Sequence, residues 1–126
     1  MTERLPRFQA LALSQQAQIE RRFDADVIRH WQHLVGAPGP DSEVPEPLIA
    51  GLFSCLLGEQ LPGHGTNYLK QSLHFAAAAR AGEALQAQVT ITRLRPDKAL
   101  VNLATQCTGE DGRLICHGEA LVLFQH

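Results

Sequence analysis

The chain has 126 residues, which is enough for one domain of ordinary size and leaves no room for a second. Hydrophobic residues make up 44% and charged residues 19%, a composition that supports a folded core and excludes a disordered segment. Eleven Lys and Arg against thirteen Asp and Glu give a net charge of -2, without a basic block. Nucleic acid is therefore excluded as the expected partner.

The sequence also contains no segment typical of a membrane or secreted protein. Its longest apolar stretch, Leu48 to Leu57, has half of the roughly 20 residues that a membrane span needs, and the amino terminus lacks a secretion signal. Three cysteines, Cys55, Cys107 and Cys116, have no CxxC spacing and lie in apolar segments. We therefore expect a cytoplasmic protein with buried reduced thiols and no metal site or membrane partner.

The first half of the chain predicts one strand and one helix after an extension. Residues 1–13 have no clear period, so the domain is expected to span 14–126. Polar and apolar residues alternate from Gln15 to Phe23, which predicts an edge strand. Asp24 and Gly36 have the residue types of a helix N-cap and a helix stop. Between them, the following residues fall on one helical face: Val27, Ile28, Trp31, Leu34 and Val35.

A loop and an apolar helix follow. Gly36 to Pro45 contains three prolines and two glycines, which predicts a loop of restricted freedom. Pro47 suits the first turn of a helix, and apolar side chains then cover nearly every side up to Leu57. We expect this helix to be buried all round and to end at Gly58 and the Leu61–Gly65 run.

The second half of the chain predicts four strands: Thr66–Phe75, Glu83–Arg95, Ala99–Thr108 and Arg113–Phe124. Alternation of apolar and polar residues from Leu85 to Thr92 is typical of a sheet with one buried face. The connections between the last three strands are short, so these strands should be antiparallel neighbours. The predicted fold is a single α+β domain with an antiparallel sheet wrapped around the apolar helix. Because a chain this small buries limited surface, a homodimer is expected.

The residues around the apolar helix resemble a known family. The run from Phe53-Ser54 through Leu56-Leu57-Gly58, Gln60-Leu61-Pro62-Gly63, Gly65-Thr66 and Tyr68-Leu69 to Phe75 is similar to the (R)-specific enoyl-CoA hydratases of the MaoC-like hot-dog superfamily. The similarity continues through Gly82-Glu83 and Gly118-Glu119-Ala120. This resemblance implies a hot-dog fold, edge-to-edge dimers and an acyl thioester bound at the dimer interface beside the central helix.

The catalytic motif of that family is degenerate in this chain. The family has Ser-Gly-Asp-x-Asn-Pro-x-His, whose Asp and His supply the acid and base that enoyl hydration needs. The motif falls on Val35 to Ser42, where Ala37 replaces the Asp and Ser42 the His. About half of the segment between the motif and Gly58 is also missing. A helix N-terminus would still offer backbone N–H groups to a thioester carbonyl.

Replacement groups for the missing dyad are available nearby. Asp41 and Glu43 are the nearest carboxylates and become the predicted acid or base, with a solvated loop as the alternative. His30 or His33 could act as a base, although both fit the polar face of an amphipathic helix. Cys55 could be imagined as a nucleophile, but core packing is the favoured interpretation.

Further residues are predicted to bind the substrate. By resemblance, Ser54, Leu57 and Val122 line the acyl pocket, and Gly51 stands at the family's helix glycine in one of two possible alignments; the other places Glu46 there. The glycines around His64 would allow close approach of a ligand, unless the histidine is simply a loop residue. The predicted substrate-binding set is Gly51, Ser54, Leu57, Gly63, His64, Gly65 and Val122.

Three functions remain open at this point. The resemblance favours a hydratase or dehydratase that acts on a trans-2-enoyl thioester of coenzyme A or acyl carrier protein without a cofactor. The second hypothesis is a non-catalytic acyl-thioester-binding or regulatory subunit, as a homodimer or in a heterodimer with an active paralogue. The third is a thioesterase that uses Asp41, Glu43 or Glu46.

Overall fold

The computed structural model describes residues 5–126, so the first four residues of the predicted N-terminal extension lie outside it. The predicted strand bounds agree with the structure to within two residues, and the short helix α1 had no sequence signal. In chain order the elements are α1 (Pro6–Gln9), β1 (Gln16–Arg21), α2 (Ala25–Val35), α3 (Glu46–Glu59), β2 (Thr66–Phe75), β3 (Leu85–Arg95), β4 (Leu100–Thr108) and β5 (Leu114–Phe124).

The five strands form one antiparallel sheet in the order β1-β3-β4-β5-β2. Strands β1 and β2 lie at opposite edges, yet both contact α3. The sheet must therefore curve around the helix, which confirms the predicted α+β architecture. Strand β2 pairs with β5 rather than with β3, its neighbour in the chain. The connection from β2 to β3 consequently packs beside the β4–β5 turn, where the Ala76 N–H donates to the Ile115 carbonyl at 2.8 Å.

Helix α3 forms the centre of the core, but it is not buried all round as its composition predicts. Its buried side chains are Ile49, Leu52, Phe53, Leu56 and Leu57. Gly51 and Ser54 are exposed and Ala50 is half-buried, so one stripe of small residues faces outward. The prediction fails because small residues occur on buried and on exposed helix faces alike, so composition does not determine burial here. The single sheet also covers only part of the helix.

Helix α2 begins and ends as its sequence predicts. The Asp24 carboxylate accepts a hydrogen bond from the Val27 N–H at 2.8 Å, and Gly36 ends the helix with a φ of +66°. Of the predicted apolar face, however, only Ile28 is buried. Val27 and Leu34 are 46% and 70% exposed. The helix therefore attaches to the domain through a narrower contact than its periodicity suggests.

Glu83 joins the β2–β3 connection to the β4–β5 turn. Its carboxylate accepts hydrogen bonds from the backbone N–H groups of Arg80 (2.5 Å) and Glu110 (3.0 Å), and it pairs with the Arg113 guanidinium at 2.6 Å. Burial alone would raise the pKa of Glu83, but these donors together hold it below its ordinary value. The residue is 8% exposed, so its charge is held almost entirely by protein groups.

The three cysteines are free thiols, and two of them are buried as predicted. Cys107 and Cys116 lie opposite each other on β4 and β5 and are fully buried. Cys55 is only half-buried on α3, and its thiol donates to the Glu59 carboxylate at 3.5 Å. Burial and the neighbouring carboxylate raise the pKa of Cys55, which keeps it protonated and unsuited to nucleophilic attack.

Candidate active site

The loop between α2 and α3 is held at both of its ends. Near α2, the Gln32 side-chain amide donates to the Pro40 carbonyl at 3.0 Å. Near α3, the Val44 N–H donates to the Ala79 carbonyl at 2.8 Å, and the Ser42 carbonyl accepts from the Ala81 N–H at 2.9 Å. These bonds fix the backbone on either side of Glu43, so the loop presents that carboxylate from a defined position.

The start of α3 has few free backbone donors. Pro45 is the N-cap residue and its side chain makes no capping hydrogen bond. Pro47 has no N–H, and the Leu48 N–H donates back to the Pro45 carbonyl at 3.1 Å. The Glu46 N–H is left without an acceptor in residues 5–126. The sequence predicts several free backbone N–H groups at this helix end. Because Pro47 has no N–H and the Leu48 N–H is bonded to Pro45, only the Glu46 N–H stays free among residues 46–48.

Two cavities flank the first residues of α3. One measures about 340 Å³ and is lined in part by Trp31, Pro38 and Pro40. The other measures about 290 Å³ and is lined in part by Phe75 and the alanine run 76–79. Both cavities are also lined by Glu43, Val44 and Glu46. Two carboxylates and one free N–H thus lie where the two cavities meet the helix.

The structure separates the two predicted catalytic residues. Glu43 lines both cavities, and no hydrogen bond or ion pair of its carboxylate is found among the described residues. Asp41 instead pairs with the Arg29 guanidinium at 2.7 Å, and Arg29 also contacts Asp26. The Arg29 pairing turns the Asp41 carboxylate toward α2. Its predicted role in acid or base chemistry therefore has less geometric support than that of Glu43.

The residues in the family's dyad positions lie on the same loop. Ala37 lines the larger of the two cavities and carries no titratable group. Ser42 is exposed, and its carbonyl is used in the contact with Ala81. Ala37 thus lies at a cavity and Ser42 precedes the cavity-lining Glu43, although neither has the side chain that the family's reaction uses.

The exposed stripe of α3 continues from this point toward β2. Gly51 and Ser54, both predicted to bind substrate, lie on the stripe and are exposed. Tyr68 of β2 lies in the same region, close enough for the Ser54 side chain to affect its pKa. Burial raises the pKa of Tyr68 and the nearby Ser54 side chain lowers it in part, with a net increase. The phenol is therefore neutral at pH 7 and remains able to donate a hydrogen bond.

Other predicted substrate-binding residues lie away from the cavities. Leu57 and Val122 have no exposed surface and belong to the core. Gly63, His64 and Gly65 follow the C-terminal end of α3, which is about 20 Å from Glu46 along the helix axis. Gly63 and Gly65 have φ values of +103° and +99°, a conformation that favours glycine. A Cβ on Gly65 would also collide with the His126 ring.

The histidines suggested as bases lie on the outside of α2. His30 and His33 are both exposed, and the cavities beside Glu46 are lined instead by Trp31 and Gln32 from that helix. Their positions agree with the polar face of an amphipathic helix. In one protomer, then, Glu43 and Glu46 line the same two cavities, whereas His30 and His33 line neither of them.

Tyr68 is a residue whose position the sequence pattern did not reveal. Strand β2 has a register irregularity between Tyr68 and Lys70, which leaves Leu69 outside the regular pairing. A count of alternate residues that starts at Phe75 and runs back along β2 therefore assigns Tyr68 to the wrong face of the sheet. Tyr68 pairs with the buried Val122 of β5, which puts it on the face of the sheet toward α3, although its side chain is exposed at the sheet edge. The sequence does not give this pairing partner.

The described residues contain no helix that is both long and apolar enough to cross a membrane. Within the same residues, no group of three or more His, Cys, Asp or Glu side chains is arranged to hold a metal ion.

Comparison with solved structures places this architecture in a known class. The solved (R)-hydratase from A. caviae involved in PHA biosynthesis superposes with a TM-score of 0.87 at 35% identity, covering 92% of this chain and 98% of that one. The chain therefore has the hot-dog fold. No protein-family model matches the sequence.

Sequence comparison with curated proteins then identifies the family. The (R)-specific enoyl-CoA hydratase of Aeromonas caviae is 36% identical over 128 residues, which cover 90% of this chain and 96% of the relative. The (R)-specific enoyl-CoA hydratase of Rhodospirillum rubrum is 45% identical over 76 residues, 60% of this chain and 52% of that protein. The chain belongs to the (R)-specific enoyl-CoA hydratase family of MaoC-like hot-dog proteins.

Proposed function

We propose that this protein binds acyl thioesters and catalyses the reversible hydration of a trans-2-enoyl thioester through a non-standard site. The observation that carries the proposal is the convergence of Glu43, Glu46 and the free Glu46 N–H where two cavities meet the start of α3. Family membership supports the substrate class, because two relatives are (R)-specific enoyl-CoA hydratases. The carrier is coenzyme A or acyl carrier protein, and the expected compartment is the cytoplasm.

The reaction requires one proton to leave water and one to reach the substrate. As the water oxygen bonds to C3 of the enoyl group, a carboxylate accepts the water proton and the double-bond electrons move toward the thioester carbonyl. In this proposal, the Glu46 N–H donates a hydrogen bond to the oxygen on which negative charge develops. The proton is then delivered to C2 by a carboxylic acid, which restores the carbonyl. Hydration adds only the elements of water, so no cofactor is required.

Glu43 and Glu46 can divide these roles between them. Glu43 is held by the loop that pairs with Ala79 and Ala81, while Glu46 is the first residue of α3. Because they approach the cavities from different elements, one carboxylate can contact water and the other C2 of a bound thioester. Asp41 remains a proposed alternative base, which would first have to release Arg29.

The proposal includes a dimer, since one protomer leaves parts of the predicted site far apart. Strand β2 is an unpaired sheet edge, and Tyr68 and Leu69 on it are 38% and 54% exposed. A second copy added across this edge about a two-fold axis would run its α3 in the opposite direction. The Gly63–Gly65 loop of one copy would then approach the Glu46 end of the other. A heterodimer with an active paralogue is a further form of the same proposal.

A non-catalytic acyl-thioester-binding role is the second candidate. It is favoured by Ala37 and Ser42 in the family's dyad positions, and by Pro47 and the Leu48 contact that reduce the backbone donors. In this case the cavities would hold the thioester without conversion. No specific observation favours the thioesterase hypothesis, although release of free thiol from acyl-CoA would reveal it.

Loss of enoyl-thioester absorbance is the test of the proposed reaction. Purified protein is mixed with medium-chain trans-2-enoyl-CoA, and the A. caviae hydratase serves as the positive control. Turnover above background supports hydration by this chain. Binding of the enoyl-CoA in calorimetry without turnover, while the control is active, would support the second candidate and reject the first.

A further inference from the structure

A pair of histidines lies on the outer face of the sheet, away from α3. His74 of β2 and His117 of β5 are direct partners in the antiparallel pairing. Both are exposed, and their neighbours Leu73 and Phe75 pack against the core on the opposite face of β2. The His74 and His117 rings have no hydrogen bond or ion pair with any residue in 5–126. Their nitrogens are therefore free to bind a ligand.

The spacing of the two rings matches that of two imidazoles on one metal ion. Their centroids are 5.3 Å apart, with an angle of 52° between the ring planes. In a zinc site the metal lies about 2.1 Å from the ligating nitrogen, and hence about 3.2 Å from the ring centre. Two such rings at the tetrahedral angle would have centres separated by about 5.2 Å. We propose that His74 and His117 form a binding site for a divalent transition-metal ion.

The chemistry of the pair defines which ions it takes. Imidazole nitrogen is a ligand for Zn²⁺, Ni²⁺ and Cu²⁺, whereas Mg²⁺ and Ca²⁺ prefer oxygen. The described residues provide no third His, Cys, Asp or Glu in a metal-binding arrangement, so water completes the coordination. The ion would join the edge strand β2 to β5. This site is independent of the proposed hydration, which takes place on the other face of the sheet.

Titration with copper and zinc tests the site directly. Wild-type protein, H74A and H117A are titrated with ZnCl₂ by calorimetry and with CuCl₂ by electron paramagnetic resonance. The wild type should bind one Cu²⁺ with hyperfine coupling to two nitrogens. Either alanine substitution should remove one nitrogen coupling and weaken Zn²⁺ binding by at least about tenfold. Unchanged binding in both variants would overturn the proposal.

The second histidine pair of the chain provides the matched control. His30 and His33 are also exposed and lie three residues apart on α2, a spacing that puts them on one side of the helix. The H30A/H33A double variant should retain the high-affinity ion and its two nitrogen couplings. If this variant loses them instead, the ion binds on α2 and the assignment to His74 and His117 is wrong. Circular dichroism confirms that each variant is folded.

Thermal unfolding provides an independent measurement. An ion that binds the folded chain stabilises it, so NiCl₂ should raise the Tm of the wild type. The shift should disappear in H74A and persist in H30A/H33A. A shift of the same size in H74A would contradict the site, because that variant can no longer join β2 to β5 through an ion.

Discussion

Two carboxylates beside the β2–β3 connection, Glu83 within it and Glu43 in the α2–α3 loop, have opposite surroundings. Glu83 is buried and accepts bonds from two backbone N–H groups and from Arg113. Glu43, which is bridged to Arg80 through its backbone only, is exposed and lines two cavities. Both regions are loops held by backbone hydrogen bonds. They differ in whether protein groups donate hydrogen bonds to the carboxylate.

This difference separates a structural carboxylate from a candidate reactive one. A carboxylate whose acceptor sites are occupied by fixed donors cannot take a proton from water without losing those bonds. A carboxylate without partners beside a cavity keeps that capacity. The Glu83 region should therefore affect the free energy of unfolding, and the Glu43 region should affect turnover. Each of the following measurements tests that division.

Removal of the candidate reactive carboxylates should have the largest effect. The double variant E43Q/E46Q should lower kcat by about 10²- to 10⁴-fold, because it removes both groups that can transfer a proton while it preserves their shape. Steady-state hydration of trans-2-enoyl-CoA measures the change. E20Q, on the outer face of β1, is the control and should match the wild type. Full activity in E43Q/E46Q together with inactivity in D41N would assign the chemistry to Asp41.

Loss of the buried carboxylate should instead destabilise the fold. E83A leaves Arg113 and two N–H groups without their acceptor, which should lower the free energy of unfolding by about 3 kcal/mol. Urea denaturation monitored by circular dichroism measures this change. E20A should cost less than about 0.5 kcal/mol in the same experiment. A cost below about 1 kcal/mol for E83A would mean that water, rather than Arg113 and the two N–H groups, stabilises the Glu83 carboxylate in the wild type.

Acid should weaken the same contact to a smaller extent. The folded pKa of Glu83 lies below its ordinary value of 4.5 because of its hydrogen-bond donors and Arg113. Its stabilising contribution is therefore complete above the unfolded pKa and is lost as the pH falls through the folded pKa. Urea midpoints measured from about pH 6 to pH 3 should decrease more steeply for the wild type than for E83Q. Equal slopes would exclude Glu83 as the titrating group.

The smallest effect is expected where α2 begins, upstream of the candidate site. D24A removes the side-chain acceptor of the Val27 N–H and should lower the free energy of unfolding by about 1 kcal/mol. Chemical denaturation measures the loss. D24N retains a capping oxygen and should recover most of it. If D24N is as unstable as D24A, the effect comes from the charge at the helix start rather than from the cap.

The fold could be predicted to a large extent because its signals are local. Alternation along β3, the Asp24 cap and the Gly36 stop each depend on a few neighbouring residues, and the structure confirms all three. The exposed stripe on α3 could not be predicted, because exposure depends on how far a distant sheet closes over the helix. The same reason explains why the pairing of β2 with β5 could not be predicted, since 38 residues separate Phe75 at the end of β2 from Leu114 at the start of β5.

The candidate site was harder to predict than the fold. Glu43 could be selected because it stands near the degenerate motif, and it lies beside the cavities. Asp41 stands equally near the motif, but sequence distance does not reveal that Arg29 pairs with it. As a catalytic group, Glu46 is suggested by the sequence only for hydrolysis, since its place at the start of α3 depends on how far the shortened loop extends. These roles remain predictions for the assays above.

The open edge of β2 also bears on how copies of this chain avoid aggregation. A flat ten-residue edge would accept almost any extended strand, including those of unfolded neighbours. Here the irregularity at Leu69 breaks the row of backbone groups, and Lys70 places a charge immediately after it. The edge is thus less open to an arbitrary extended strand than an unbroken edge of the same length.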